Sequence, residues 1–334
     1  MNKGELSETY AFLYLLHFNK VNFADAELNQ LTDYIKVLSL AENNYESSIK
    51  INLDKTISII KNNKALRKVT VNEIISEASL EKLMLSIKNK ENPNVDFSSL
   101  KDKLNISTLK ASANKKSDFL FSFSYSGTTY EELQGVSLKS NLGANATILN
   151  ASHATNIIYE VKNFEGNIDK VNSIDSRNKL IDRIDKIIEQ KGRLSFLRCA
   201  NDIFENNLRK VDSLMPENLS KAMLHRYKMK SSKFVDLVSD PIKKIHFTSL
   251  LKSAAFGMFP SKEWDGLFPV KGIFVVQDNG GIVIFHILKE KYLNDYLFNN
   301  AYFENASTNR HDFGKLYKED NKLLFKLNCQ LRLS

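Results

Sequence analysis

Apolar residues Leu6, Tyr10, Leu13 and Leu16 recur at the three- and four-residue spacing of one helix face and predict a helix over residues 5–17. Glu5 and Glu8 fall in its first turn, where acids suit the positive end of the helix dipole. Alternation over 48–53 predicts a strand, and 71–87 has helical spacing. The aromatic-rich run 118–125, a turn at Ser126-Gly127-Thr128 and the run 135–139 read as two adjacent strands. A helix is expected over 147–161. The stretch 163–233 is strongly charged and helical in pattern, with Leu180, Ile184, Ile187 and Ile188 spaced for one face. Beyond His246 the character is mixed again, with a helix over 249–258, strands over 270–276 and 281–287, and a hairpin through 313–331. The expected fold class is mixed α/β, organised as an N-terminal part, 1–162, a charged helical subdomain or insertion over 163–245, and a C-terminal α/β part, 246–334.

Composition narrows the function. With 334 residues, 43% of them hydrophobic, the chain can bury a substantial core, and 12 glycines with 5 prolines exclude a collagen-like or linker-rich chain. A net charge of +8 favours a polyanionic partner, nucleic acid first. The longest apolar stretches, 11–16 and 281–288, fall short of the roughly 18 residues a membrane span needs. Two acids precede the early apolar run, so a secretory leader is not expected and the chain reads as cytoplasmic. Cys199 and Cys329 are too far apart to build a metal knuckle and read as buried small hydrophobes, while His17 and His286 read as packed histidines. Gly280-Gly281 lacks the lysine and serine of a phosphate loop and reads as a hairpin turn. Five lysines stand against the single acid Asp102 over 101–116, which suggests a phosphate-facing edge.

Hydrolysing a phosphodiester takes a divalent cation on hard oxygen ligands, a way to activate water, and a positive group near the phosphate. Asp118 opens the first of the two adjacent strands and Lys139 ends the second, so both side chains can converge at one sheet edge. Asp118 would hold the metal together with water, a phosphate oxygen and the Leu138 carbonyl. Lys139 would orient the attacking water and offset charge developing at phosphorus. The spacing alone carries no information. Lys139, however, lies in an apolar strand directly before a glycine-containing loop, whereas Asp118 could also be a simple strand-initiating residue.

Four stretches make a more specific pattern. They are Asn2-Lys3-Gly4-Glu5-Leu6-Ser7-Glu8 with Tyr10; Lys116-Ser117-Asp118; Val136-Ser137-Leu138-Lys139-Ser140-Asn141-Leu142-Gly143, running on through Leu149-Asn150-Ala151-Ser152 to Thr155-Asn156; and Ser307-Thr308-Asn309-Arg310-His311 with Phe313-Gly314. In these the chain resembles the HpaII-type family of type II restriction endonucleases, within the PD-(D/E)xK nuclease superfamily. The resemblance implies a PD-(D/E)xK core, a central mixed sheet flanked by helices, with Asp118 as metal-binding aspartate and Lys139 as catalytic lysine. It further implies Mg2+ as cofactor, double-stranded DNA cut at a short palindrome, CCGG, and a cognate DNA methyltransferase as genetic partner. Two positions depart from the superfamily pattern: Ser117 replaces proline, and Ser137 stands where the second carboxylate belongs. That ligand must then come from elsewhere, and Glu8, Glu5 and Glu160 are the candidates, Glu8 first because Gly4 followed by Glu8 resembles the first-helix glutamate pattern of related nucleases.

Base reading calls for donors and acceptors aimed into the major groove. Arg310 and His311 lie in the polar segment 305–312, with Ser307, Thr308 and Asn309 beside them, and arginine can pair bidentately with guanine. Arg310 could equally hold a phosphate. Asn141, Asn145, Asn150, Ser152, His153 and Asn156 form a polar cluster after Lys139, to line the groove or to cap a helix. Lys115 and Lys116 are expected backbone contacts. The other readings are a repair or junction-cleaving nuclease of the same superfamily, or a basic DNA-binding protein without catalysis. A palindromic site favours a homodimer with twofold symmetry, with a monomer that nicks each strand in turn as the other option.

Overall fold

A computed structural model describes residues 3–43, 47–92, 95–106, 115–143 and 145–334. Asn2 and Lys110 lie outside the described residues. In chain order the elements are α1 (Lys3–Phe18), β1 (Lys20–Ala24), β2 (Gln30–Ala41), β3 (Ser47–Ile51), β4 (Thr56–Lys61), β5 (Lys64–Thr70), α2 (Val71–Ile74), α3 (Glu77–Asn89), α4 (Phe97–Leu104), β6 (Phe119–Tyr125), β7 (Thr128–Ser140), β8 (Ala146–Leu149), β9 (Asn156–Lys162), α5 (Ile168–Asn172), α6 (Lys179–Glu189), β10 (Arg193–Cys199), α7 (Asp202–Val211), α8 (Met215–Met229), α9 (Phe234–Leu237), α10 (Pro241–Phe256), β11 (Val270–Val276), β12 (Ile282–His286), α11 (Glu290–Asn300), β13 (Ala301–Phe303), α12 (Thr308–His311), β14 (Leu316–Glu319), β15 (Lys322–Asn328) and β16 (Leu331–Leu333). The class is mixed α/β.

The chain divides into two compact units. The first comprises Met1–Ala146, Ala255–Gly257 and Phe268–Tyr296; the second comprises Thr147–Ala254, Met258–Leu267 and Leu297–Ser334. The charged stretch 163–245 therefore shares a unit with the end of the chain, and β11 and β12 join the unit that carries the first helix.

The first unit is built on a nine-stranded sheet in the order β1-β12-β11-β7-β6-β2-β3-β4-β5. Pairing of β1 with β2 closes the first six of these strands into a ring. The β1–β12 and β11–β7 pairs are parallel, and the other pairs in the ring are antiparallel. One face of the sheet is lined by Val136, Leu138, Phe119, Phe121, Phe123, Phe274 and Ile284, and packs against α1 through Leu6, Tyr10, Phe12, Leu13 and Leu16. Phe12 meets the Phe119 ring edge-on at 5.8 Å. Tyr10 donates its hydroxyl to the Gly280 carbonyl at 2.6 Å, which ties α1 to the turn between β11 and β12. Gly280 turns there with φ +85°, as a hairpin glycine should. The second unit contains the antiparallel sheet β10-β9-β15-β14 and the three-stranded sheet β13-β16-β8.

The structure departs from expectation in four places, the first being that the stretch 163–233, expected to be helical, includes the strand β10. Residues 147–161 form no α-helix: β8 ends at Leu149, His153–Thr155 make one 3-10 turn, and β9 follows. Ile157, Ile158, Tyr159 and Val161 are buried on both faces of β9, so their apolar spacing reflects a central strand and not a helix stripe. The helix expected over 71–87 breaks at Ser76, whose hydroxyl accepts the Ser79 amide and starts α3 afresh. The strand expected over 135–139 is the buried end of a thirteen-residue strand whose other half is exposed and polar. Segment 305–312 contains the short helix α12, and no helix among the described residues is long and apolar enough to cross a membrane.

Candidate active site

Alternation sends Phe119 and Phe121 of β6 into the core face and leaves Asp118, at the strand entrance, on the opposite face. On β7 the same alternation puts Val136 and Leu138 in the core and Ser137 and Lys139 on the face of Asp118. The Asp118 amide donates to the Val136 carbonyl at 2.7 Å. The Leu138 amide donates to Asp118 Oδ2, and the Ser137 hydroxyl donates to the same carboxylate. Ser137 is buried; Asp118 and Lys139 are half-buried. Burial pushes the Asp118 carboxyl up, against the pull of the Lys139 charge and the two hydrogen bonds. Burial lowers the Lys139 ammonium, against the pull of Asp118 and Glu8.

Glu8 thus reaches the field of Lys139 from α1. The Ser7 hydroxyl donates to Ser140 Oγ at 3.1 Å and pins this turn of the helix to the end of β7. Glu5 lies one turn earlier, its carbonyl accepting the Thr9 hydroxyl at 3.0 Å. Glu160 sits on β9 in the second unit, not on a helix, 3.5 Å from the Lys162 ammonium. Among the described residues no three His, Cys, Asp or Glu side chains cluster as a metal site. A cation at Asp118 would therefore draw on one further acid, on main-chain oxygen and on water, a hard-oxygen set that suits Mg2+.

Sequence reasoning missed Asn43. It follows β2 and donates its side-chain amide to the Ser117 carbonyl at 2.8 Å and the Asp118 carbonyl at 3.2 Å, while its Oδ1 accepts the Ser117 hydroxyl at 2.6 Å. No pattern around Asn43 could have announced this, since the contact crosses more than seventy positions. Lys115 is exposed and donates to the Asn43 carbonyl. Lys116 is drawn inward instead: burial, then the neighbouring Lys139, lowers its ammonium to about 8.

The polar residues proposed to read bases fall in both units. Asn141 closes β7, its amide donating to the Val276 carbonyl at 2.9 Å, and Asn145 is exposed nearby in the chain. In the second unit Asn150 and His153 are exposed and Ser152 opens the 3-10 turn. Ser307 caps α12, accepting the Arg310 amide at 3.3 Å, and Asn309 and Arg310 are exposed with Thr308 half-buried. The Asn156 side chain donates to the His311 carbonyl at 2.9 Å, and the His153 and His311 rings lie 6.1 Å apart. Asn328, also missed, donates to Ser152, Thr155 and Asn156 and holds that turn to β15. Partial burial, then Arg310 and His153, hold His311 below the usual imidazole range.

A model of the HpaII restriction endonuclease family matches residues 2–333. The type II restriction enzyme HpaII of Haemophilus parainfluenzae is 31% identical over 354 residues, covering 99% of this chain and 98% of that protein. No solved structure matches the chain.

Proposed function

Since the chain belongs to the HpaII restriction endonuclease family and is a type II site-specific deoxyribonuclease, we propose that it hydrolyses duplex DNA at CCGG through a PD-(D/E)xK-type site formed by Asp118, Ser137, Leu138, Lys139 and Glu8. The carrying observation is the meeting of Asp118, Ser137 and Lys139 on one sheet face with Glu8 brought to Lys139 by α1. Asp118, Glu8 and the Leu138 carbonyl would hold Mg2+, which when bound supplies the Lewis acidity and charge that phosphoryl chemistry needs. Ser137 keeps the Asp118 carboxylate oriented without adding charge. Lys139 positions the attacking water and offsets the negative charge that grows on the phosphate oxygens.

Arg310 and His311, with Ser307, Thr308 and Asn309, are assigned to base reading together with Asn141, Asn145, Asn150, Ser152 and His153. A cytoplasmic enzyme of this kind works beside a methyltransferase that protects the same site, and a palindromic target favours a twofold dimer. Digestion of one DNA of known sequence with Mg2+, followed by mapping of the ends, tests the reading. Discrete fragments ending at CCGG are expected, and they should disappear with Asp118→Ala or Lys139→Ala at a cost of at least roughly 10³-fold. Cutting set by DNA structure and not by sequence would turn the assignment to a repair nuclease.

A further inference from the structure

The edge of the first unit's sheet carries a concentration of charge that the active site does not use. Between residues 47 and 70, Lys50, Lys55, Lys61, Lys64, Arg67 and Lys68 are all exposed, against the single acid Asp54. The strand registers place these charges with respect to the site. Ser122 of β6 pairs with Ser39 of β2, Ser39 with Lys50 of β3, Lys50 with Ser58 of β4, and Ser58 with Lys68 of β5. Paired residues share a face, and Ser122 shares the face of Asp118 by the two-residue period of β6. One transverse row, Ser122-Ser39-Lys50-Ser58-Lys68, therefore runs from the strand that Asp118 opens out to the sheet edge, on the side where Asp118 lies. Lys50 and Lys68, two strands apart, stand ~10 Å from each other, about the rise of three phosphates along one DNA strand.

Lysines on an edge strand also block edge-to-edge pairing, but that role does not account for the whole arrangement. Lys50 lies on an interior strand, and Lys61 pairs directly with Lys64 at the hairpin tip, a like-charge pairing that destabilises a ribbon. The ion pair of Lys68 with Asp54, 2.6 Å, is more than half exposed on both sides and is easily exchanged for a phosphate.

We propose that this face of β3, β4 and β5 is a phosphate track that holds the DNA backbone beside the cutting centre without reading bases. It rests on the assignment of Asp118 to that centre. The test is equilibrium binding of the full chain, without metal, to a CCGG duplex and a random duplex between 50 and 200 mM salt. Lys50→Gln/Lys68→Gln should weaken both duplexes alike and lower the slope of log affinity against log salt by about 1.8, two contacts at about 0.9 each. Lys50→Arg/Lys68→Arg should restore it. Asp54→Asn, which keeps the acceptor for the Thr56 amide while removing the competing charge, should tighten both. Unchanged affinity and slope in the glutamine variant overturn the track, and self-association of that variant with normal binding assigns the lysines to edge protection. If Asp118→Ala still cuts while the glutamine variant binds weakly, the track survives and its placement beside the cut falls.

Discussion

Ser137 lies one step past the Phe119–Val136 pair, across from Asp118, and gives its hydroxyl to the Asp118 carboxylate. An alcohol thus occupies the position where a second acid would repel Asp118 in this buried setting. Ser137→Ala should cost about 1–3 kcal/mol of stability, because a half-buried carboxylate loses the donor that the buried Ser137 provides. Cleavage should be reduced but measurable in that variant, which loses only the orientation of Asp118, and vanish in Asp118→Ala. Urea unfolding alongside plasmid digestion separates the two effects, and equal loss of cleavage in both would make Ser137 part of the chemistry.

If Asp118 holds Mg2+ as proposed, the second ligand distinguishes two acids. Glu8 acts on Lys139 from α1, whereas Glu160 is engaged with Lys162 on β9. Glu8→Gln should raise the Mg2+ concentration needed for half-maximal cleavage at least tenfold, and Glu160→Gln should leave it in place. A magnesium titration of both variants decides, and the opposite ranking moves the ligand to Glu160.

Asn43 holds the Ser117–Asp118 backbone through its own side chain. Asn43→Ala should lower cleavage 10-fold or more at saturating DNA while DNA affinity measured without metal stays the same. Asn43→Asp keeps the acceptor for Ser117 but loses both donors, so it should resemble Asn43→Ala. Normal turnover in both variants would assign Asn43 to loop structure alone.

Arg310, exposed on α12, is the sharpest test of base reading. Arg310→Ala should cost about 1–3 kcal/mol on the cognate duplex and little on random DNA. Uniform weakening of both, with a salt slope reduced by about one, would make it a phosphate contact. Lys115 serves as the comparison for that second behaviour. Lys116 does not, because it packs toward Lys139.

His286 supplies a pH dependence of folding. Its Nδ1 accepts the Leu288 amide at 3.3 Å and its Nε2 lies 3.1 Å from Gln134 Oε1, so the neutral ring with a proton on Nε2 satisfies both partners. Burial beside Phe121 and Phe123, then Lys271, lowers it to about 4. Unfolded, it titrates near 6.5, so between pH 6.5 and 4 the unfolded chain binds the extra proton. Stability from this group is complete above pH 6.5 and falls by about 3 kcal/mol by pH 4. Denaturant unfolding across that range should show the slope, and His286→Leu, though less stable, should flatten it; an equal slope in both would acquit His286.

Much of this was legible where local chemistry and tertiary structure agree. The first helix, the paired strands bearing Asp118 and Lys139, the β11–β12 hairpin and the final hairpin all carry strong periodic signals ended by turn residues. The error at 147–161 has a specific cause: β9 is covered on both faces, so Ile157, Ile158 and Tyr159 lose the alternation that identifies a strand. The exposed half of β7 failed in the opposite way, with too few apolar residues to register. Asn43 and Asn328 act through side-chain amides on distant backbone, which a local window cannot see. Ring closure by β1 depends on register between residues more than 250 positions apart, and nothing in Lys20–Ala24 points to β12.

The connectivity of the ring also bears on when the molecule becomes dangerous. A growing chain that has reached residue 245 already contains Asp118, Lys139 and Glu8, yet it lacks β11 and β12, two of the six strands of the ring. β7 gains its second neighbour only when 270–276 have been made, and β1 its parallel partner only with 282–286. Pairings of such long reach close late and slowly. The sheet that aligns Asp118 with Lys139 thus forms only after residues 270–286 have been made, and a chain aborted before them carries both side chains without the frame that brings them together.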